Sequence, residues 1–202
     1  MKKLFSILCI GCICAFAACN SSNSSNSVDS AQNINDSTLP DSSNMNDTSA
    51  MNSTSSAPVS QQDADWAAKV ANANMTEIEL SKVAQDKATS DRLKNFANMM
   101  VTDHTKAGDQ LKQLAATKNI TLPANLDSKS QKELDDLNKK TAGKDFDKAY
   151  QNDMLSDHKD AVDAFQKGSK DLKDADLQNF ATQTLPTIQM HLDSIKAIAG
   201  KK

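Results

Sequence analysis

Five stretches of the chain repeat apolar residues at the three- and four-residue spacing of an amphipathic helix, and none alternates with the two-residue period of a half-buried strand. The pattern predicts an all-α domain over residues 61–202: an up-down four-helix bundle with one short extra helix between the second and third long helices. A first long helix runs from about Ser60, with Asp63 completing the start signal, to Lys87, and turns Trp66, Val70, Ala73, Leu80, Ala84 and Ala88 inward. The polar break Thr89-Ser90-Asp91 leads into a second, about Asp91 to Lys118, with Leu93, Ala97, Met100, Ala107, Leu111 and Leu114 on its stripe. Asn119 to Asp127, carrying Pro123, reads as a loop. Ser128 with Gln131 opens the short helix around Leu134 and Leu137, and Gly143 ends it. The third long helix, about Lys144 to Lys170, presents Tyr150, Met154, Ala161, Val162, Phe165 and Leu172. The fourth, about Asp176 to Ala199 before Gly200, presents Leu177, Phe180, Thr184, Ile188, Ile195 and Ile198; Pro186 removes one backbone bond inside it and should bend it.

Four polar residues break these stripes. Glu77 sits in the first, and His104, His158 and His191, the only three histidines, sit in the other three. If an inward stripe takes roughly a third of helical positions, four independent placements coincide about once in a hundred. A titratable group sent inward costs free energy unless it finds a partner, so the four are expected to meet. All lie within about one turn of mid-bundle at a rise of roughly 1.5 Å per residue. Asp103 and Asp157 each precede a histidine, which on a helix turns them about 100° away; a bond to a neighbouring helix suits them better than one to the adjacent ring. Tyr150 is a further polar candidate for the same layer.

The ends of the chain read differently. Lys2 and Lys3 followed by the apolar run Leu4 to Phe16 predict an export signal over residues 1–19, too short to span a bilayer permanently. Its end, Phe16-Ala17-Ala18-Cys19, resembles a bacterial lipoprotein signal with Cys19 as the acylated residue, although Phe16 replaces the usual aliphatic side chain. Cys9, Cys12 and Cys14 lie inside the run, so a mature chain keeps Cys19 alone and has no internal disulfide framework. Residues 20–60, rich in Ser, Asn, Thr and Asp and free of Lys and Arg, are expected to form a disordered tether reaching roughly 35 Å. Two Asp-Ser-Ala/Thr triplets in it, at Asp29 and Asp36, resemble O-glycosylation sites of some bacterial envelope proteins. The expected place is the cell envelope, anchored by lipid at the outer membrane. Setting aside Lys2, Lys3, Asp29, Asp36, Asp41 and Asp47 leaves the domain 21 basic and 22 acidic residues, which gives no electrostatic footprint for nucleic acid.

The segments Glu77-Ile78-Glu79-Leu80, Phe96 through His104, Phe146-Asp147-Lys148-Ala149-Tyr150 and Leu185 through His191 resemble the bacterial family called domain of unknown function 4142. The resemblance covers about Asp63 to Ala199. It implies an exported, ferritin-like four-helix protein without a settled activity. Ferritin-like di-iron sites take a Glu-x-x-His pair from each of two helices, but Val101, Leu155 and Ile188 stand three residues before the histidines here. Iron storage or oxidation at a di-iron centre is therefore not expected. Two readings stay open for Glu77, His104, His158 and His191: a site for a single Zn, Cu, Ni or Fe ion, or a hydrogen-bonded polar layer that fixes helix register in an envelope interaction or stress protein. No nucleophile, phosphate loop or basic cleft accompanies them, so the reading leans away from an enzyme; the protein partner, if there is one, is not encoded legibly.

Overall fold

The structure, a computed structural model, describes residues 27–38 and 59–200. The export signal, Cys19 and most of the tether lie outside the described residues. Six helices follow in order: α1 Ser27–Thr38, α2 Gln61–Lys87, α3 Asp91–Thr117, α4 Ser128–Asn138, α5 Lys144–Asp171 and α6 Ala175–Ile198. Among the described residues there is no strand, and no helix is long and apolar enough to cross a membrane.

The long helices begin and end where local chemistry stops them. Ser60 caps α2 by accepting from the Asp63 N–H, and Asp174 caps α6 by accepting from the Asp176 and Leu177 N–H groups. The cap of α4 is Asp127, accepting from the Ser130 N–H, and not Ser128 as its Ser-x-x-Gln pattern suggested. Gly143 does not end α4 either. It stands at the start of α5 with φ 145°, a backbone conformation that side chains other than glycine's rarely adopt. Helix α6 continues through Pro186, whose position is exposed.

Helices α2, α3, α5 and α6 form the bundle, in two antiparallel hairpins, α2–α3 and α5–α6, with α2 beside α5 and α3 beside α6. The expectation of short links between long helices fails at the second, from α3 to α5. Lys118, after the end of α3, is salt-bridged at 2.6 Å to Asp174 at the start of α6, so α3 ends beside the α5–α6 turn. Helix α5 begins at the other end, where Thr89 of the α2–α3 turn donates its N–H to Asp147 at 3.0 Å. The segment with α4 therefore travels the length of the bundle, along α2 and α5, and leaves α3 and α5 parallel across the diagonal.

The core follows the predicted stripes except at Ala73, which is exposed. Leu80, Leu93, Met100, Met154, Leu177 and Ile195 are fully buried, together with Phe146, which the stripes did not include. Leu155 and Val83, which lean outward by periodicity, pack against the core at helix seams.

Residues 27–38 correct the tether boundary. They form α1, with Val28, Ala31 and Asn35 buried against α2 and the α3–α4 loop. Asn35 donates to the Thr121 carbonyl at 3.1 Å and accepts from the Thr121 N–H at 2.8 Å. One inward stripe of small residues and a paired amide therefore seat a segment whose composition alone read as disordered.

Candidate metal centre

The crossover brings the inward quartet closer than short links would. His104 and His158 each lie thirteen residues before the ends of their helices at the α5–α6 turn, and Glu77 and His191 lie sixteen residues from the helix starts at that same end. At a rise of about 1.5 Å per residue, the four span roughly 4.5 Å along the axis. All are buried, His158 and His191 completely. Ring centroids are 5.8 Å apart for His104 and His158, 5.3 Å for His104 and His191, and 5.5 Å for His158 and His191.

Each ring is fixed through its outer nitrogen. His104 Nδ1 donates to Asn74 Oδ1 at 3.0 Å and lies 3.1 Å from Glu77 Oε2. His158 Nδ1 donates to the Met154 carbonyl one turn back at 2.9 Å, with Glu77 Oε1 3.6 Å away. His191 Nε2 donates to Asp103 Oδ2 on the neighbouring α3 at 2.9 Å. The carbonyls can only accept, so the inner nitrogens of these neutral rings carry lone pairs. Those atoms, His104 Nε2, His158 Nε2 and His191 Nδ1, are buried without a hydrogen-bond partner. One nitrogen from each ring lies within 4.8 Å of the others. Three lone pairs brought together in one buried place repel each other, and a cation is a partner that satisfies all three.

The predicted residues thus divide. His104, His158 and His191 form the cluster. Glu77 belongs to the same layer but borders the outer nitrogens, as a positioning carboxylate. Asp103 fixes His191 across helices, as its angular offset suggested. Tyr150 pairs elsewhere, with Ser81 at 2.7 Å. Asp157 faces Glu133 of α4, away from the rings. Periodicity missed Asn74, an α2 residue on the flank of the stripe; Gly108 on α3 leaves it room, since a Cβ there would stand 2.7 Å from Asn74 Nδ2.

Burial, then the neighbouring rings, holds His104 well below the ordinary imidazole value. Burial and His191 bring His158 down to about 4, and burial lowers His191 although Asp103 opposes it. The carboxyls move the other way. Burial, then Asp157 and Glu133, pushes Glu77 well up; burial, then Glu133 and Asp153, pushes Asp157 up to about 8; burial, then Glu133, pushes Asp153 up to about 6.

These shifts oppose each other in stability. Between pH 4 and 6.5 the unfolded chain binds imidazole protons that the fold excludes, which destabilises the fold as pH falls. The folded carboxyls keep protons that the unfolded chain releases, a contribution lost as pH rises through their folded values. Above about pH 6.5, the ordinary imidazole value, the imidazole contribution fades over roughly one further unit, and the carboxyls come to dominate. In chelator, the melting temperature is therefore expected to fall from pH 6.5 to 8, and Asp157→Asn to flatten the fall; a rise in the parent protein over that interval would contradict it.

An all-helical bundle with its long crossover and mid-bundle histidines is a ferritin-like domain. The chain belongs to the family described as Domain of unknown function (DUF4142), which it matches over residues 48–198. No curated protein matches it. In fold it is similar to the crystal structure of a DUF305 fragment from Deinococcus radiodurans, with a TM-score of 0.63 at 11% identity over 71% of this chain and 98% of that one.

Proposed function

We propose that the domain holds one transition-metal ion on His104, His158 and His191, and that it does so as the folded part of a lipid-anchored envelope protein. The observation that carries the metal reading is the set of three buried, unpartnered ring nitrogens whose opposite nitrogens are all held by acceptors. That division of labour, a ligand nitrogen inward and an oriented N–H outward, is what metal-binding histidines use to fix tautomer and raise ligand basicity. It favours an ion over a self-sufficient polar layer, which would leave no such nitrogens. Neutral imidazoles suit zinc, copper, nickel and ferrous iron. The positive charge would also ease the burial of Glu77.

Incubation of the purified chain with each ion, followed by gel filtration and elemental analysis, should leave one ion per chain, and His158→Ala or His191→Ala should leave none. Folded protein that retains no ion, or variants that retain it fully, overturn the reading.

Lipid anchoring rests on Lys2, Lys3, the apolar run and Cys19. In a bacterial host the chain is expected in the membrane fraction and Cys19→Ala in the soluble one; an unchanged distribution refutes Cys19 as the anchor.

A further inference from the structure

Below the histidines, between them and the α5–α6 turn, the bundle forms a partly open cavity of about 300 Å³. Its apolar part is walled by Trp66, Val70, Leu111, Phe165, Phe180 and Ile188. Trp66 is held there rigidly: its Nε1 donates to the Ala164 carbonyl at 3.2 Å, its ring meets Phe165 and Phe180 edge-on, and Gly168 supplies the space behind it. The other part is walled by acids from three helices, Glu77, Glu133 and Asp157. Two of their oxygens, Glu77 Oε1 and Asp157 Oδ2, are buried with no hydrogen-bond partner. The lysines that line the cavity, Lys69 and Lys129, are exposed. An apolar chamber that ends in carboxyl groups, with two buried oxygens unpaired although Asn74, Thr76 and Ser130 stand in the same wall, matches a particular kind of guest.

We propose that this cavity binds a small organic amine, its apolar body against Trp66, Phe165 and Phe180 and its ammonium group donating to Glu133, Asp157 and the free oxygen of Glu77. An ammonium brings three donors and a full positive charge to acids whose cationic neighbour, Lys129, is exposed. An alcohol of the same shape brings one donor and no charge, and a carboxylate adds repulsion. The size fits: a dry cavity of about 150 Å³ accepts benzene, and this one is about twice as large, enough for an aromatic ring with a two-carbon amine. The site adjoins the histidine layer through Glu77 and His104 but uses none of the three inner ring nitrogens, so it does not depend on the metal reading.

Trp66 is the only tryptophan, so its emission reports occupancy. The purified chain would be titrated with 2-phenylethylamine, 2-phenylethanol and 3-phenylpropanoate, each with chelator and again after zinc loading. The amine should change Trp66 emission saturably in both conditions. The alcohol should bind at least tenfold more weakly and the carboxylate not at all. The isosteric double variant Glu133→Gln/Asp157→Asn, checked for unchanged circular dichroism, should weaken the amine at least tenfold. Each single variant, Glu133→Gln and Asp157→Asn, is a second test should the double variant fail to fold, and each should weaken the amine measurably. Equal binding of amine and alcohol, no binding of the amine, undiminished binding by the folded variants, or binding confined to the zinc-loaded chain would each overturn the proposal. Elemental analysis decides the metal reading separately.

Discussion

Zinc at a hundredfold excess over its dissociation constant is expected to raise the unfolding free energy of the chain by about 2.7 kcal/mol. For a domain of this size that is roughly 10 °C in melting temperature, and His158→Ala should abolish the rise. His158 is the sharpest choice because its outer nitrogen bonds only to the Met154 carbonyl of its own helix, so its loss does not unfasten a second helix. The comparison is made within each variant, with and without ion, so any destabilisation from the cavity left by the ring cancels. Asp103→Ala should give an intermediate result. It leaves all three ligands but frees the His191 ring, a loss typically worth 10- to 100-fold in affinity. An ion-dependent rise that survives in His158→Ala would place the ion elsewhere in the protein.

The level of the cluster was legible in the sequence for a reason that outlasts a mistake in topology. His104 is the central residue of α3, and His158 lies at the middle of α5. The midpoint of a helix stays at mid-bundle whichever end the chain enters from. The expected short link reversed α5 relative to α3, and the two histidines still came level. The same mistake would have misplaced any pair near the helix ends.

Periodicity finds which face a residue occupies, and that was enough for the three histidines. It does not tell which ring nitrogen turns inward, because that choice is made by acceptors on other turns and helices: Asn74, the Met154 carbonyl and Asp103. Glu77 therefore looked equivalent to the histidines from its position on the stripe, and only the atoms separate a positioning carboxylate from a ligand. The crossover was hidden for a related reason. The segment from Asn119 to Gly143 has the loop and helix composition of a local link, and its course is set by distant contacts, such as Asn72 donating to Ser130 at 3.0 Å and Lys87 donating to the Asn138 carbonyl at 2.6 Å. Helix α1 shows the converse error, because average composition overlooked three inward positions at helical spacing.

Asp63→Ala is expected to cost about 3 to 5 kcal/mol, although periodicity gave Asp63 no role beyond a helix start. The side chain is completely buried. Its Oδ2 accepts from the Lys173 N–H at 3.0 Å and the Asp174 N–H at 2.7 Å, and Oδ1 lies 3.2 Å from the same Lys173 nitrogen. One carboxylate at the start of α2 thus holds the turn between α5 and α6. Hydrogen bonds to a charged group are worth about 1.5 to 3 kcal/mol each, and truncation strands both donors. The loss spreads through the clasp, because Asp174 also caps α6 through Oδ1 and holds Lys118 through Oδ2 at 2.6 Å. Asp63→Asn keeps one acceptor and the same shape, so it should cost about half as much, and the order Ala, Asn, parent separates the hydrogen bonds from the packing. Chemical denaturation of the three proteins gives these differences directly. Since domains commonly hold only about 5 to 15 kcal/mol, Asp63→Ala should populate unfolded chain near physiological temperature, while its folded fraction still takes up zinc; a cost below about 1 kcal/mol would show that the α5–α6 turn is held by packing instead.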